Sequence, residues 1–242
     1  MNLSGKFHQC LRLRPGSIES INGLGLVYAA QNKTNEAVAE FERALKLDPR
    51  FSAARVNLAT LLANHGQVSA AIGEYQTVLR LETNNVAARI NLAKLWFSLG
   101  KTNEAIALYQ QALELRRDNP VAHFDLANAF NAQGLHAEAL KHYGAAVELQ
   151  PGFADAQYNF GVELARVGRI TEALPHFAEA ARLNPTSAEA HFNYGVALAK
   201  LQRYPEAATE FQQTLKLDPK YASAQALLNR ALQFSHGPAL QP

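Results

Sequence analysis

A period of 34 residues constrains this 242-residue chain more than any other feature, because self-similarity at that spacing dictates a stack of small units. Laid out from Ile18, six units run 18–51, 52–85, 86–119, 120–153, 154–187 and 188–221 without insertion or deletion. Position 20 of the unit is Ala37, Ala71, Ala105, Ala139, Ala173 and Ala207, and position 8 is Gly25, Ala59, Ala93, Ala127, Gly161 and Gly195. Position 24 is aromatic throughout, as Phe41, Tyr75, Tyr109, Tyr143, Phe177 and Phe211. Position 30 is leucine in every unit, from Leu47 to Leu217. Between these anchors the apolar residues recur every three or four positions, as in Leu58, Leu61 and Leu62 and then Ala71, Ile72, Tyr75, Val78 and Leu79. That is the period of a helix face, so each unit is predicted to be two helices.

The punctuation agrees. Gly66, Gly100, Gly134 and Gly168 fall at position 15, where the first helix needs a left-handed residue to finish. Asn32 is a tolerable substitute there, and Gln202 departs from the pattern. Caps for the second helix are expected at Asn35, Ser69, Asn103 and Thr171, followed by an acid such as Glu36 or Glu104. That helix is expected to end before Pro49, Pro151, Pro185 and Pro219, while Pro175 should remove one hydrogen bond within its own helix. Helices of about 14 residues, each about 20 Å long, cannot enclose a core alone, so units must stack. Small residues at positions 8 and 20 are expected to face each other, with the aromatic at 24 and leucine at 30 filling the seam to the neighbour.

These residues resemble the tetratricopeptide repeat family, whose pattern Leu24-Gly25-x-x-Tyr28, Ala37, Phe41, Ala44 and Pro49 follows position by position. The resemblance implies an all-α fold, an α-solenoid of helix-turn-helix units in a right-handed superhelix. It implies protein binding, and it specifies the fold far more narrowly than the function. Phe7, Cys10, Leu11, Leu13 and Pro15 match the second half of a unit, so residues 1–17 are expected to be the second helix of a truncated repeat. The chain thus reads as a segment of a longer array. Residues 222–234 are expected to form a capping helix, with Asn229 in the slot that is glycine or alanine elsewhere, and 235–242 a disordered tail. Leu227 and Phe234 leave an apolar edge through which a homodimer could form.

Composition narrows the function. Lys plus Arg is 23 against Asp plus Glu at 21, too even a balance for binding nucleic acid by charge. One cysteine excludes an internal disulfide or a multi-cysteine zinc site, and no apolar run is long enough to insert in a membrane. The reading is a soluble segment, with the cytoplasm as the expected compartment. No catalytic group, metal site or cofactor is expected. Gly23-Leu24-Gly25 lies inside a helix with no strand before it, and His136 and His142 are six apart, the wrong spacing for a metal-binding helix. Cys10, His123 and His191 are read as packing residues, and the chain as no enzyme.

What remains is the inner surface that the first helices should line. Position 6 is Asn57, Asn91, Asp125, Asn159 and Asn193, although asparagine is an indifferent helix former. An amide both donates and accepts, so a column of them can hold the backbone of an extended peptide whatever its sequence. The column resembles the ladder of O-linked N-acetylglucosamine transferase, with Asp125 breaking it and Gly23 leaving it absent at the start. The alternative is that these asparagines serve local hydrogen bonds alone. Phe124, Tyr158 and Phe192 at position 5 should add apolar contacts, and Lys94, Asn128, Asn131, Arg166 and Lys200 polar ones. Position 5 lacks the lysine that chaperone-tail-binding members of the family use. The sequence therefore predicts a scaffold that binds an extended segment of a partner protein. A substrate-recruiting arm of a glycosyltransferase and a self-assembly module remain as alternatives.

Overall fold

The computed structural model describes residues 3–235, within which fourteen α-helices and no strand are present. The first, α1 (Leu3–Leu13), is followed by α2 (Ile18–Ala30), α3 (Thr34–Leu47), α4 (Ser52–Asn64), α5 (Val68–Leu81), α6 (Val86–Ser98) and α7 (Thr102–Leu115). These belong to one compact unit, Met1–Arg117. The second unit, Asp118–Pro242, holds α8 (Pro120–Ala132), α9 (His136–Leu149), α10 (Ala154–Arg166), α11 (Ile170–Leu183), α12 (Ala188–Lys200), α13 (Tyr204–Leu217) and α14 (Ala222–Ser235). In each unit the helices pair into hairpins in which a 13-residue helix packs on the 14-residue helix after it. First helices of successive hairpins also touch, α2 with α4, α4 with α6 and α10 with α12, so they form one shared face in each unit.

The turn inside each hairpin closes on a left-handed residue. Gly66, Gly100, Gly134 and Gly168 have φ of 73 to 83°, Asn32 has 57°, and Gln202, which breaks the sequence pattern, adopts 61° all the same. The caps differ from the expectation. Asn35, Ser69, Asn103 and Thr171 lie inside the first turn of their helices, which start one residue earlier from Lys33, Gln67, Lys101 and Arg169 with no side-chain cap. The three-residue turn runs straight into the second helix and leaves no extended residue to cap it. Side-chain caps serve first helices instead: Ser17, Asn85, Asn119 and Ser187 accept from the backbone N–H of Ser20, Ala88, Ala122 and Ala190. Pro175 is accommodated within α11, which continues unbroken.

The core also departs from the expected division of labour. Alanine at position 20 is fully buried in all six hairpins, as are the aromatic rings at position 24. The glycines face those rings rather than the alanine: a Cβ on Gly25 would stand 2.6 Å from Phe41, on Gly161 3.0 Å from Phe177, and on Gly195 2.8 Å from Phe211. Leucine at position 30 fills the seam only in part, half-buried as Leu81, Leu183 and Leu217 and exposed in the other three hairpins. Leu47 is 52% exposed and Leu115 49%, because the last residue of the second helix sits at the edge of the stack. Position 27 does that work, with Ala44, Val78, Ala112, Ala146, Ala180 and Thr214 all buried. The tail expected at 235–242 lies outside the described residues apart from Ser235, which closes α14.

Candidate functional site

The amides at position 6 stand half-buried on the first-helix faces, each turned toward the hairpin before it. In the first unit, Asn57 on α4 donates through Nδ2 to Asn22 Oδ1 on α2 at 2.9 Å. Asn91 on α6 hydrogen-bonds the Tyr75 hydroxyl, which also meets Thr60 Oγ1 at 2.7 Å. Gly23 holds the same register on α2, where the ring of Phe7 from α1 occupies the space a side chain would need, with Cζ 2.4 Å from an added Cβ.

The second unit repeats the arrangement with other partners. Asn159 on α10 donates to Asn128 Oδ1 on α8 at 3.1 Å, and the Tyr143 hydroxyl donates to the same oxygen at 2.5 Å. Asn131 and Asn159 also reach the Tyr143 hydroxyl, whose titration burial pushes up to about 12. Asn193 on α12 donates to the Tyr158 hydroxyl at 2.7 Å and to the Glu189 carbonyl at 3.2 Å. Burial, followed by the nearby Glu189 carboxylate, raises Tyr158 as well. Asp125 is half-buried in this register on α8.

An amide has two N–H groups and two acceptor lone pairs, so Asn57 and Asn159 keep an N–H beyond the bond each donates, and Asn193, which donates both hydrogens, keeps its carbonyl oxygen. The rungs therefore keep capacity for a ligand while their orientation is fixed from behind. Aromatic residues at position 5 are more committed. Phe124 packs on Tyr143 and Phe153, with centroids 5.9 and 4.8 Å away, and Phe192 lies 5.9 Å from Phe211 and 4.7 Å from Tyr221. Tyr158 meets Phe177 edge-on at 6.2 Å, so much of each ring belongs to the core. Of the cationic neighbours, Lys94 and Lys200 are exposed. Arg166 pairs at 3.2 Å with Glu163, a carboxylate only 1% exposed that His136 also meets at 3.0 Å. What the sequence reading passed over is thus the hydrogen-bonding role of Asn22, Thr60, Tyr75 and Tyr143 behind the rungs. The signal for it was a hydrogen-bonding side chain at position 5, 9 or 24 ahead of each asparagine.

Three histidine contacts join the two helices of a hairpin. His123 and His142 meet through Nδ1 at 2.9 Å with rings stacked at 5.1 Å, His176 Nδ1 lies 2.8 Å from Gln157 Oε1, and His191 Nδ1 2.6 Å from Glu210. Burial first, then the neighbouring His123 and Lys141, hold His142 down to about 4. Cys10 accepts a hydrogen bond from Ser20 at 3.0 Å. Among the described residues no group of three or more His, Cys, Asp or Glu could hold a metal ion, and no helix is long and apolar enough to cross a membrane.

Comparison with known proteins places this architecture. A family model described as tetratricopeptide repeat matches residues 22–85 and 158–222, more than half of the chain, and a second, described as TPR repeat, matches 94–134. No curated protein matches the chain significantly. Among solved structures it is similar to YrrB, described as a TPR protein with an unusual peptide-binding site, at 24% identity and a TM-score of 0.65 over 77% of this chain and 96% of that one. It is similar to pilF of Pseudomonas aeruginosa at 17% identity and a TM-score of 0.80, over 88% and 97% of the two chains. A third likeness is to the APC/C hetero-tetramer Cut9-Hcn1, at 22% identity and a TM-score of 0.74, over 95% of this chain and 46% of that one.

Proposed function

The chain belongs to the tetratricopeptide repeat family, and from that premise we propose that it is a protein-binding scaffold whose first-helix faces each hold an extended segment of a partner polypeptide. The observation that carries this reading is the state of the position-6 amides: Asn57 and Asn91 in one unit, Asn159 and Asn193 in the other, each locked by a bond to the preceding hairpin. A group already immobilised loses little further entropy on binding, so preorganised amides are better ligands than free ones. Adjacent rungs lie on helices about 10 Å apart, and an extended chain rises about 3.3 Å per residue, so neighbouring rungs would meet every third residue of a guest. Amide pairs recognise backbone. Selectivity would come from Lys94, Asn131 and Lys200 beside them.

The test is to select peptides against the whole chain from a random library and follow the side-chain amide resonances of the protein on titration. Shifts at Asn57 and Asn91, or at Asn159 and Asn193, are expected at the lowest peptide concentrations. Peptides that bind while perturbing only second helices would refute the proposal.

A further inference from the structure

The rungs stop at the last helix, and a cavity takes their place. At position 6 of α14 stands Leu227 instead of asparagine, and the surfaces it faces are apolar too: Phe211 at position 24, Val196 at position 9. Phe192 at position 5 packs into the same cluster. With no polar group to bond and no long side chain to fill the space, a cavity of about 330 Å³ opens among α12, α13 and α14, floored by Val196, Phe211, Leu227 and Ala231. Lys200 on α12 and Arg230 on α14 also line it, together with Ala199 and Tyr204. Both are exposed, and among the described residues neither is paired with a carboxylate; Arg230 only lies over the Phe234 ring, 5.7 Å from its centroid.

From this combination we infer that the cavity takes one bulky aliphatic side chain of a partner segment that carries acidic residues on both sides of it. The volume suits a side chain of leucine size with room to adjust. In an extended chain the neighbours of an inserted residue point away from the floor, to where long Lys200 and Arg230 side chains reach from α12 and α14. Two cations without counter-ions beside an apolar floor favour carboxylates there. The inference rests on the proposed function in that the cavity lies on the same first-helix face, and it adds an anchor that reads sequence where the amides read backbone.

The test uses the whole chain and a fluorescein-labelled peptide, acetylated and amidated, built on Glu-Glu-Leu-Glu-Glu, followed by anisotropy. Binding is expected to weaken about tenfold in the K200E/R230E double variant, and to weaken as salt rises. A control with serine for leucine should bind about tenfold more weakly through loss of apolar burial. Both substitutions are at exposed positions, and unchanged circular dichroism and melting would confirm that the variant is folded. Equal affinity for the double variant or for the serine peptide would overturn the inference. So would binding that requires a free C-terminal carboxylate on the leucine, or a concentration-dependent dimer that the double variant abolishes, since either names a different occupant. The asparagine resonances keep the two proposals apart. If the acidic peptide fails while library peptides still shift Asn159 and Asn193, the anchor is wrong and the scaffold reading stands.

Discussion

The hairpins fall into two kinds. In α4/α5, α6/α7 and α8/α9, positions 8, 9 and 24 are alanine, a polar residue and tyrosine: Ala59, Thr60 and Tyr75; Ala93, Lys94 and Tyr109; Ala127, Asn128 and Tyr143. In α2/α3, α10/α11 and α12/α13 they are glycine, an apolar residue and phenylalanine: Gly25, Leu26 and Phe41; Gly161, Val162 and Phe177; Gly195, Val196 and Phe211. The hydroxyl of a tyrosine ties its ring to the polar side of the first helix, as in Tyr75 with Thr60 and Tyr143 with Asn128. A phenylalanine has no such tie and presses onto the bare backbone of the glycine. Where the ring lacks a hydroxyl, position 5 supplies the partner for the next asparagine, as Asn22 does for Asn57 and Tyr158 for Asn193. The same hydrogen bond is thus made in two ways. Where α14 offers no asparagine, neither way is used and the cavity appears.

The largest effect is expected from breaking the glycine contact. Gly25→Ala sets a Cβ 2.6 Å from the Phe41 ring inside the hairpin and should cost about 2 kcal/mol by overpacking, read by urea denaturation. Ala59→Gly in the other kind should cost about 1 kcal/mol, the ordinary helix penalty. Equal losses would dissolve the distinction. Next comes Tyr143→Phe, which removes a donor from Asn128 and should cost about 1.5 kcal/mol. Its reciprocal, Phe211→Tyr, should gain no stability, because Val196 stands where Thr60 and Asn128 supply the tyrosine's partner in the other kind of hairpin.

A smaller effect comes with pH. His142 binds its proton near 4 in the folded chain but near 6.5 when unfolded, so the unfolded state holds more protons between those values. Stability should therefore fall as pH drops through 6.5 and level off below about 4. Allowing for solvent exposure the loss is about 1 kcal/mol, with lowered His176 adding in the same direction. Thermal melts of the protein and of His142→Leu at pH 7 and 5 should show a shallower slope for the variant. The smallest change expected is a gain: Gln202→Gly relieves a left-handed glutamine and should add about 0.5 to 1 kcal/mol in the same denaturation assay, whereas Gly100→Gln should lose as much.

Helix positions were readable in the sequence because the 34-residue period forces each residue type into one environment, as the shared left-handed turn of Gly66 and Gln202 illustrates. Asparagine at position 6 could be placed on the first-helix face for the same reason. The partner of each asparagine could not, since Asn57 pairs 35 residues away, Asn159 pairs 31 away, and Tyr143 reaches Asn128 only 15 away. A repeat pattern averages such differences unless units are sorted by what stands at position 24. The misplaced caps have a local cause: Asn35 and Ser69 have the right chemistry, but the turn before them is too short to leave a residue extended.

The most direct measurement is a crystal structure of the chain with the tightest library-selected peptide bound. The account predicts an extended main chain crossing successive first helices, its carbonyls and amides on Asn57 and Asn91 or on Asn159 and Asn193. A peptide seated among second helices, with those asparagines keeping the bonds to Asn22, Tyr75, Asn128, Tyr143, Tyr158 and the Glu189 carbonyl that they make without it and gaining none, would contradict it.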